Sequence, residues 1–212
     1  GKLDVTSLKL ASNVAVSGAV SVDTLSASKA AAVDISSGNL AVAKGSLKNV
    51  AVTVGAQAAA AYAAADETPA ASSTDATTFA FGGKTVDGSI SANANGVVAI
   101  GTTDLTAFHA VFSEEFGTWS AGTAAAFVAS PVTVTGSLHI GAADGTNAQV
   151  AFGKDSVLVA DITGMTAEDT LITADSFAVD SGSVAYLVGS VKDGSATFNL
   201  TSGKAADYWN TA

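Results

Sequence analysis

The chemistry-bearing residues are few. His109 and His139 are the only histidines among 212 residues, and there is no cysteine. A thiolate nucleophile, a disulfide framework and a thiolate metal site are therefore excluded. His109 stands between Phe108 and Ala110, and Glu114 and Glu115 follow five and six residues on. That spacing is not the i,i+4 relation that would place a carboxylate beside it on a helix. His139 stands between Leu138 and Ile140, so strand alternation points it away from a core. Both read as surface histidines, and no HExxH-type pattern is present.

Three short stretches resemble catalytic motifs and fall short of them. Phe81-Gly-Gly-Lys-Thr85 is like the end of a phosphate loop, but Thr78 occupies the place of the leading glycine. Thr118-Trp-Ser-Ala-Gly122 is like a nucleophile elbow around Ser120, with Thr118 where the first glycine belongs. Asp144-Gly-Thr-Asn147 lacks the remaining ligands of a calcium loop. Paired carboxylates are the remaining route to catalysis, because glycoside hydrolysis needs two at about 5 to 9.5 Å. Asp155 and Asp180 could be stacked to form such a pair, yet solvated corner residues are the simpler reading. The expectation is no enzyme, no catalytic residue, no cofactor and no metal. Aromatic residues offer a binding role instead, with Trp119 and Tyr186 as candidate surface-binding residues. Tyr208 and Trp209 read as a cap on the chain's last strands.

Composition sets the frame for these residues. Hydrophobic residues are 48% of the chain but aromatics only 7%. The core must be tiled from Ala, Val and Leu, which suits thin sheets better than a core with large aromatic anchors. The net charge is −10, and all nine basic residues are lysine. Scattered lysines on an acidic chain do not make a phosphate-binding stripe, so nucleic acid is excluded as a partner, and anionic lipid is disfavoured. No apolar run reaches the roughly 18 to 20 residues of a membrane span. The longest, over 56–65, is mostly alanine.

The elements that position these residues follow from a repeat. Val14-x-Val16, Val33-x-Ile35 and Val52-x-Val54 recur at a nineteen-residue step, each followed by small polar residues or glycine. Val20-x-Val22 returns as Leu40-x-Val42. Leu25 and Leu47 suggest a third series. Such a period means a stacked coil with three short strands per turn, about 18–22 residues each, in which equivalent residues form ladders. The fold class is therefore all-β, a parallel β-solenoid in a single domain over 1–212. Regular rungs occupy 1–55, a short helical, Ala-rich excursion 56–87, and further rungs with a C-terminal cap 88–212. Within the last part, Leu105, Phe108, Phe112 and Phe116 predict a short amphipathic helix, packed on the coil, after a Thr-Asp cap. Strands are expected near 88–90, 97–101, 126–129, 132–134, 138–140, 150–152, 157–159, 171–172, 177–179, 184–188 and 197–200.

Phrases such as GKDSVLVAD at 153–161 and VDSGSVAYLVG at 179–189 are short strands broken by small polar turns. Over roughly 88–203 the chain resembles the passenger domains of bacterial autotransporters. That resemblance implies a right-handed parallel β-helix, secreted or held at the surface of a Gram-negative cell. It implies an adhesive or stalk role, with a host glycan or protein as partner and no membrane contact by this segment. It carries no shared catalytic motif. The pattern is already under way at residue 1, so a piece of a longer chain is expected. Two other readings fit the same repeat: a secreted β-helix enzyme acting on polysaccharides, and a phage tail-spike-like structural β-helix.

Overall fold

The computed structural model describes residues 1–55, 76–106, 108–109, 112, 124–141, 150–166, 168–192 and 199–202. Eighteen strands follow one another: β1 (Lys2–Leu10), β2 (Val14–Ala15), β3 (Ala19–Ala27), β4 (Ala31–Ile35), β5 (Asn39–Val42), β6 (Ser46–Val54), β7 (Thr77–Phe81), β8 (Thr85–Ala92), β9 (Gly96–Ile100), β10 (Ala125–Val128), β11 (Val132–Val134), β12 (Ser137–Ile140), β13 (Val150–Phe152), β14 (Val157–Asp161), β15 (Thr170–Thr173), β16 (Phe177–Val179), β17 (Val184–Val188) and β18 (Asn199–Ser202). The fold is all-β, and every strand pairing among the described residues is parallel.

Two sheets result. The eight-stranded one runs β1-β3-β5-β7-β9-β10-β14-β17. The ten-stranded one begins β2-β4-β6-β8 and then divides. The first residues of β8 pair with β11 and its last four with β12. β11 continues to β15 and β18, and β12 to β13 and β16. The division arises because β6 and β8 turn a corner in mid-strand. Their register shifts between Lys48 and Ala51, where Asn49 takes a φ of 58°. An asparagine tolerates that left-handed conformation better than most residues, and the Asn49 amide donates to the carbonyl of Ala27 at 3.4 Å.

The predicted ladders are present. Val14 lies opposite Val33, Val33 opposite Val52 and Val52 opposite Ile90. The same column goes on through Leu138 and Val150 to Phe177. In the eight-stranded sheet, Val20, Leu40, Phe79, Val98, Ala126 and Leu158 make an equivalent column. Apart from Val14, which is exposed at the end of its column, these side chains belong to, or pack against, one core cluster shared by both sheets. A small β-branched side chain sits well in such a column, because each is covered above and below by its own kind. Complete burial of one such residue contributes about 1.5–3 kcal/mol.

The stretch 56–87 departs from expectation at its C-terminal side. Residues 56–75 lie outside the described residues, but β7 and the start of β8 fall within it. Phe79 and Phe81 take the positions that Leu40 and Val42 hold one strand earlier. The alternation therefore continues with larger side chains, and both rings are fully buried, stacked at 6.4 Å between centroids. Observed strand bounds elsewhere differ from those expected by one or two residues, apart from a β8 that starts earlier and a shifted last strand.

Candidate binding surface

β9, β10 and β14 differ from the other strands. Their residues are buried on both faces or nearly so, and they read as unbroken apolar runs, GVVAI, AAFV and the VLVA that precedes Asp161. A second apolar cluster explains this. Ala80, Val97, Ala99, Ala125, Phe127, Val157 and Val159 face outward from the eight-stranded sheet and are covered by Phe108 and Phe112. The Phe108 ring lies 6.0 Å from that of Phe127 and 5.4 Å from that of Phe112.

The cover is local in origin. Thr106, Phe108, His109 and Phe112 are helical, and the His109 N–H donates to the Leu105 carbonyl at 2.9 Å. Asp104 starts the turn: its Oδ1 accepts from the Thr106 hydroxyl at 2.6 Å and from the Thr106 N–H at 2.9 Å. These two bonds favour the carboxylate and hold its pKa below the ordinary value. The Thr-Asp cap and the amphipathic spacing are thus realised on the described residues, while Phe116 lies outside them. Replacing Phe108 with alanine is expected to lose about 3 kcal/mol of packing. Amide exchange at His109 should then accelerate well beyond any change in the core strands; equal protection in both proteins would contradict the packing described.

Tyr186 sits on the same outer face. It is in register with Val159 on β14, is half-buried, and packs against the outer cluster. One side of the ring therefore belongs to packing. Trp119, Phe116, Ser120, Tyr208, Trp209 and the Asp144–Asn147 turn lie outside the described residues. Toward β1 the same face becomes polar. Phe127, Ala99, Ala80, Ala41, Ser21 and Asp4 succeed each other in register. Here the segment before the helix overhangs the sheet and leaves a cleft of about 330 Å³, lined by Lys2, Ser21, Asn39, Thr78, Thr103 and Leu105 among others. Asn39 Oδ1 accepts from the Thr78 N–H at 3.0 Å and from its hydroxyl at 2.8 Å. The cleft offers hydroxyls, an ammonium group and an apolar floor. That set suits hydrogen bonding to a polyhydroxylated or peptide ligand.

The other candidate residues are dispersed. His109 is exposed with its ring edge-on to Phe108 at 5.5 Å. His139 lies between Ser91 and Ala151 on the outer side of the ten-stranded sheet, as alternation predicts. It is 7% exposed, however, and so is not a surface residue. Asp155 and Asp180 stand on neighbouring turns that stack, since Phe152 pairs with Val179 and Val157 with Val184. Both are exposed. Gly83 is a packing glycine: a Cβ there would meet the Gly45 carbonyl and the Phe81 ring, and the lysine after it leads into strand β8. Among the described residues no three His, Asp or Glu side chains converge as metal ligands, and no helix is long and apolar enough to cross a membrane.

Comparison of the chain with protein-family models, with curated proteins and with solved structures found no match.

The expected packing of the helix onto the strands is realised through Phe108 and Phe112; the outward apolar surface of β9, β10 and β14 beneath them is the feature that sequence reasoning missed. Its signal was available: strands in a sheet covered on both faces are apolar at consecutive positions instead of alternate ones.

Proposed function

We propose that this chain is a non-enzymatic segment of a secreted or cell-surface autotransporter passenger, coiled as a right-handed parallel β-helix and serving as an adhesive surface or stalk. The observation that carries the reading is the unbroken column from Val14 to Phe177, with all pairings parallel. Strands that return in parallel at a spacing of about 4.8 Å need a crossover at each turn. Such crossovers are right-handed in nearly all proteins. A stack of this kind lengthens by repetition and exposes long sides, which suits reach and contact more than an enclosed reaction. The cleft beside Asn39 and the half-buried Tyr186 are the contacts offered to a host glycan or protein.

The polysaccharide-active alternative would need a carboxylate pair held out of bulk water, so that one stays protonated. The exposure of Asp155 and Asp180 gives it weaker support. The test is surface display. Placed upstream of an autotransporter barrel in a Gram-negative host, the chain is expected to reach the cell exterior and be shaved off by added protease. Retention in the periplasm would overturn the passenger reading. Sugar release from polysaccharides that is lost on Asp180→Asn would replace it with the enzymatic one.

A further inference from the structure

A groove of about 500 Å³ lies on the outer side of the ten-stranded sheet, apart from the cleft beside Asn39. It crosses β4, β6 and β8 and so runs along the stacking axis. Its floor is the register row of Ala32, Ala51 and Ser89, which carries nothing longer than a serine hydroxyl. The corner at Asn49 and Gly88 gives it depth. Asn49 turns the chain through a φ of 58°, and Gly88 lies so close to β6 that a Cβ would meet the Val50 carbonyl.

Three polar side chains of the lining each spend one group within the protein and keep another. Asn13 Oδ1 accepts from the Ala32 N–H at 3.0 Å, which leaves its Nδ2 as a donor. Asn49 Nδ2 donates to the Ala27 carbonyl at 3.4 Å, which leaves its Oδ1 as an acceptor. Asp87 accepts from the Thr135 hydroxyl at 3.1 Å with one oxygen and keeps the other. The Ser89 hydroxyl serves either way. The strand backbone adds little, because in a parallel ladder its N–H and C=O groups are taken by the strands on either side.

This set discriminates between ligands. A hydroxyl both donates and accepts, so a polyol matches a wall that mixes the two. An extended peptide binds in grooves by main-chain pairing or by anchor side chains in pockets. Here the main chain is already paired, and the flat floor has no hole for an anchor. Among the described residues the lining carries one charge, Asp87, and Lys48 stands opposite it in register. The chain as a whole carries a net −10, so an acidic polymer is repelled. The rungs repeat at about 4.8 Å, a step on the scale of one sugar in an extended glycan.

We infer that this groove binds an uncharged linear polysaccharide, laid along the stacking axis over Ala32, Ala51 and Ser89. The inference goes beyond the adhesive reading and does not rest on export: a chain that failed to reach the cell surface would keep the groove.

Affinity electrophoresis of the full 212-residue chain tests it, in gels carrying a soluble β-glucan, a galactomannan, a dextran or, for contrast, polygalacturonate. The expected result is retardation by at least one of the three uncharged polymers and none by polygalacturonate. Ala51→Gln fills the floor without adding charge and should weaken retardation by about tenfold or more, with the far-UV spectrum unchanged. Asn13→Ala should weaken it less. Ser89→Gln fills the same floor one rung on, should Ala51→Gln misfold. No retardation by any uncharged polymer, retardation by polygalacturonate instead, or retardation that both glutamine variants leave intact would overturn the proposal. Loss on Thr78→Ala with Ala51→Gln silent would move the ligand to the cleft beside Asn39 and overturn it equally.

Discussion

Replacing Val52 with aspartate is expected to unfold the protein, whereas the same change at Ala51 is expected to leave it folded. Val52 is 1% exposed and lies between Val33 and Ile90 in the central column. A carboxylate there has no partner and no path to water, and its short side chain cannot reach past the sheet. Burying an unpaired charge belongs to the few single changes that cost more than about 4 kcal/mol. That is a large share of the roughly 5–15 kcal/mol that holds a domain together. Ala51 points the other way, is exposed, and has Ala32 and Ser89 as its cross-strand neighbours. Aspartate at that position should cost about 1 kcal/mol or less, mostly through poor strand propensity. Urea midpoints of the two variants decide the matter. Similar losses in both would mean that position parity along β6 does not separate core from solvent.

Gly136→Ala should be the second most damaging change, and for a reason unrelated to hydrophobic burial. Gly136 joins β11 to β12 at the corner where the ten-stranded sheet divides. A Cβ at this position would collide with the carbonyl oxygen of Gly88 and approach the Gly88 nitrogen to 2.8 Å. Gly88 cannot withdraw, because a Cβ on it would itself meet the Val50 carbonyl. The corner is a stack of backbone on backbone, with no flexible side chain to move aside. The Thr135 and Gly136 N–H groups both donate to the Val86 carbonyl, at 2.8 and 3.0 Å. Displacing the chain to admit a methyl group would stretch these bonds as well. Overpacking of this sort costs about 1–3 kcal/mol and sometimes more; about 3 kcal/mol is expected here. Thermal and urea unfolding would show it, and a loss below about 1 kcal/mol would mean that the corner is looser than the stacking implies.

Much of the fold could be read from the first 55 residues. Val14, Val33 and Val52 announce a ladder because nothing is inserted between them, so a constant step survives. After residue 55 counting fails, since inserted stretches of unequal length separate β6 from β7, β9 from β10 and β12 from β13. Short apolar segments bounded by small polar residues and glycine still show, which is why β11, β13, β16 and β17 can be read with the bounds the structure has. β7 was hidden by its side chains: two phenylalanines continue columns otherwise made of valine and leucine. For the candidate site, Tyr186 could be picked out as an aromatic on a short strand. Its half-burial against Val159 could not, because that depends on which strand lies next to it and on what covers the outer face.

What the amino-acid order determined alone was the strand period, the inward set of small aliphatic residues, the acidic and arginine-free surface, and the capped helical turn after Asp104. Each is a local property, written in alternation, composition or a spacing of a few residues. Tertiary structure alone decided where the ten-stranded sheet divides, that the surface beneath Phe108 and Phe112 is the outer face of β9, β10 and β14, and that His139 is enclosed. Those outcomes depend on contacts between segments far apart in the chain, whose partners are selected by the shape of the assembled ladders.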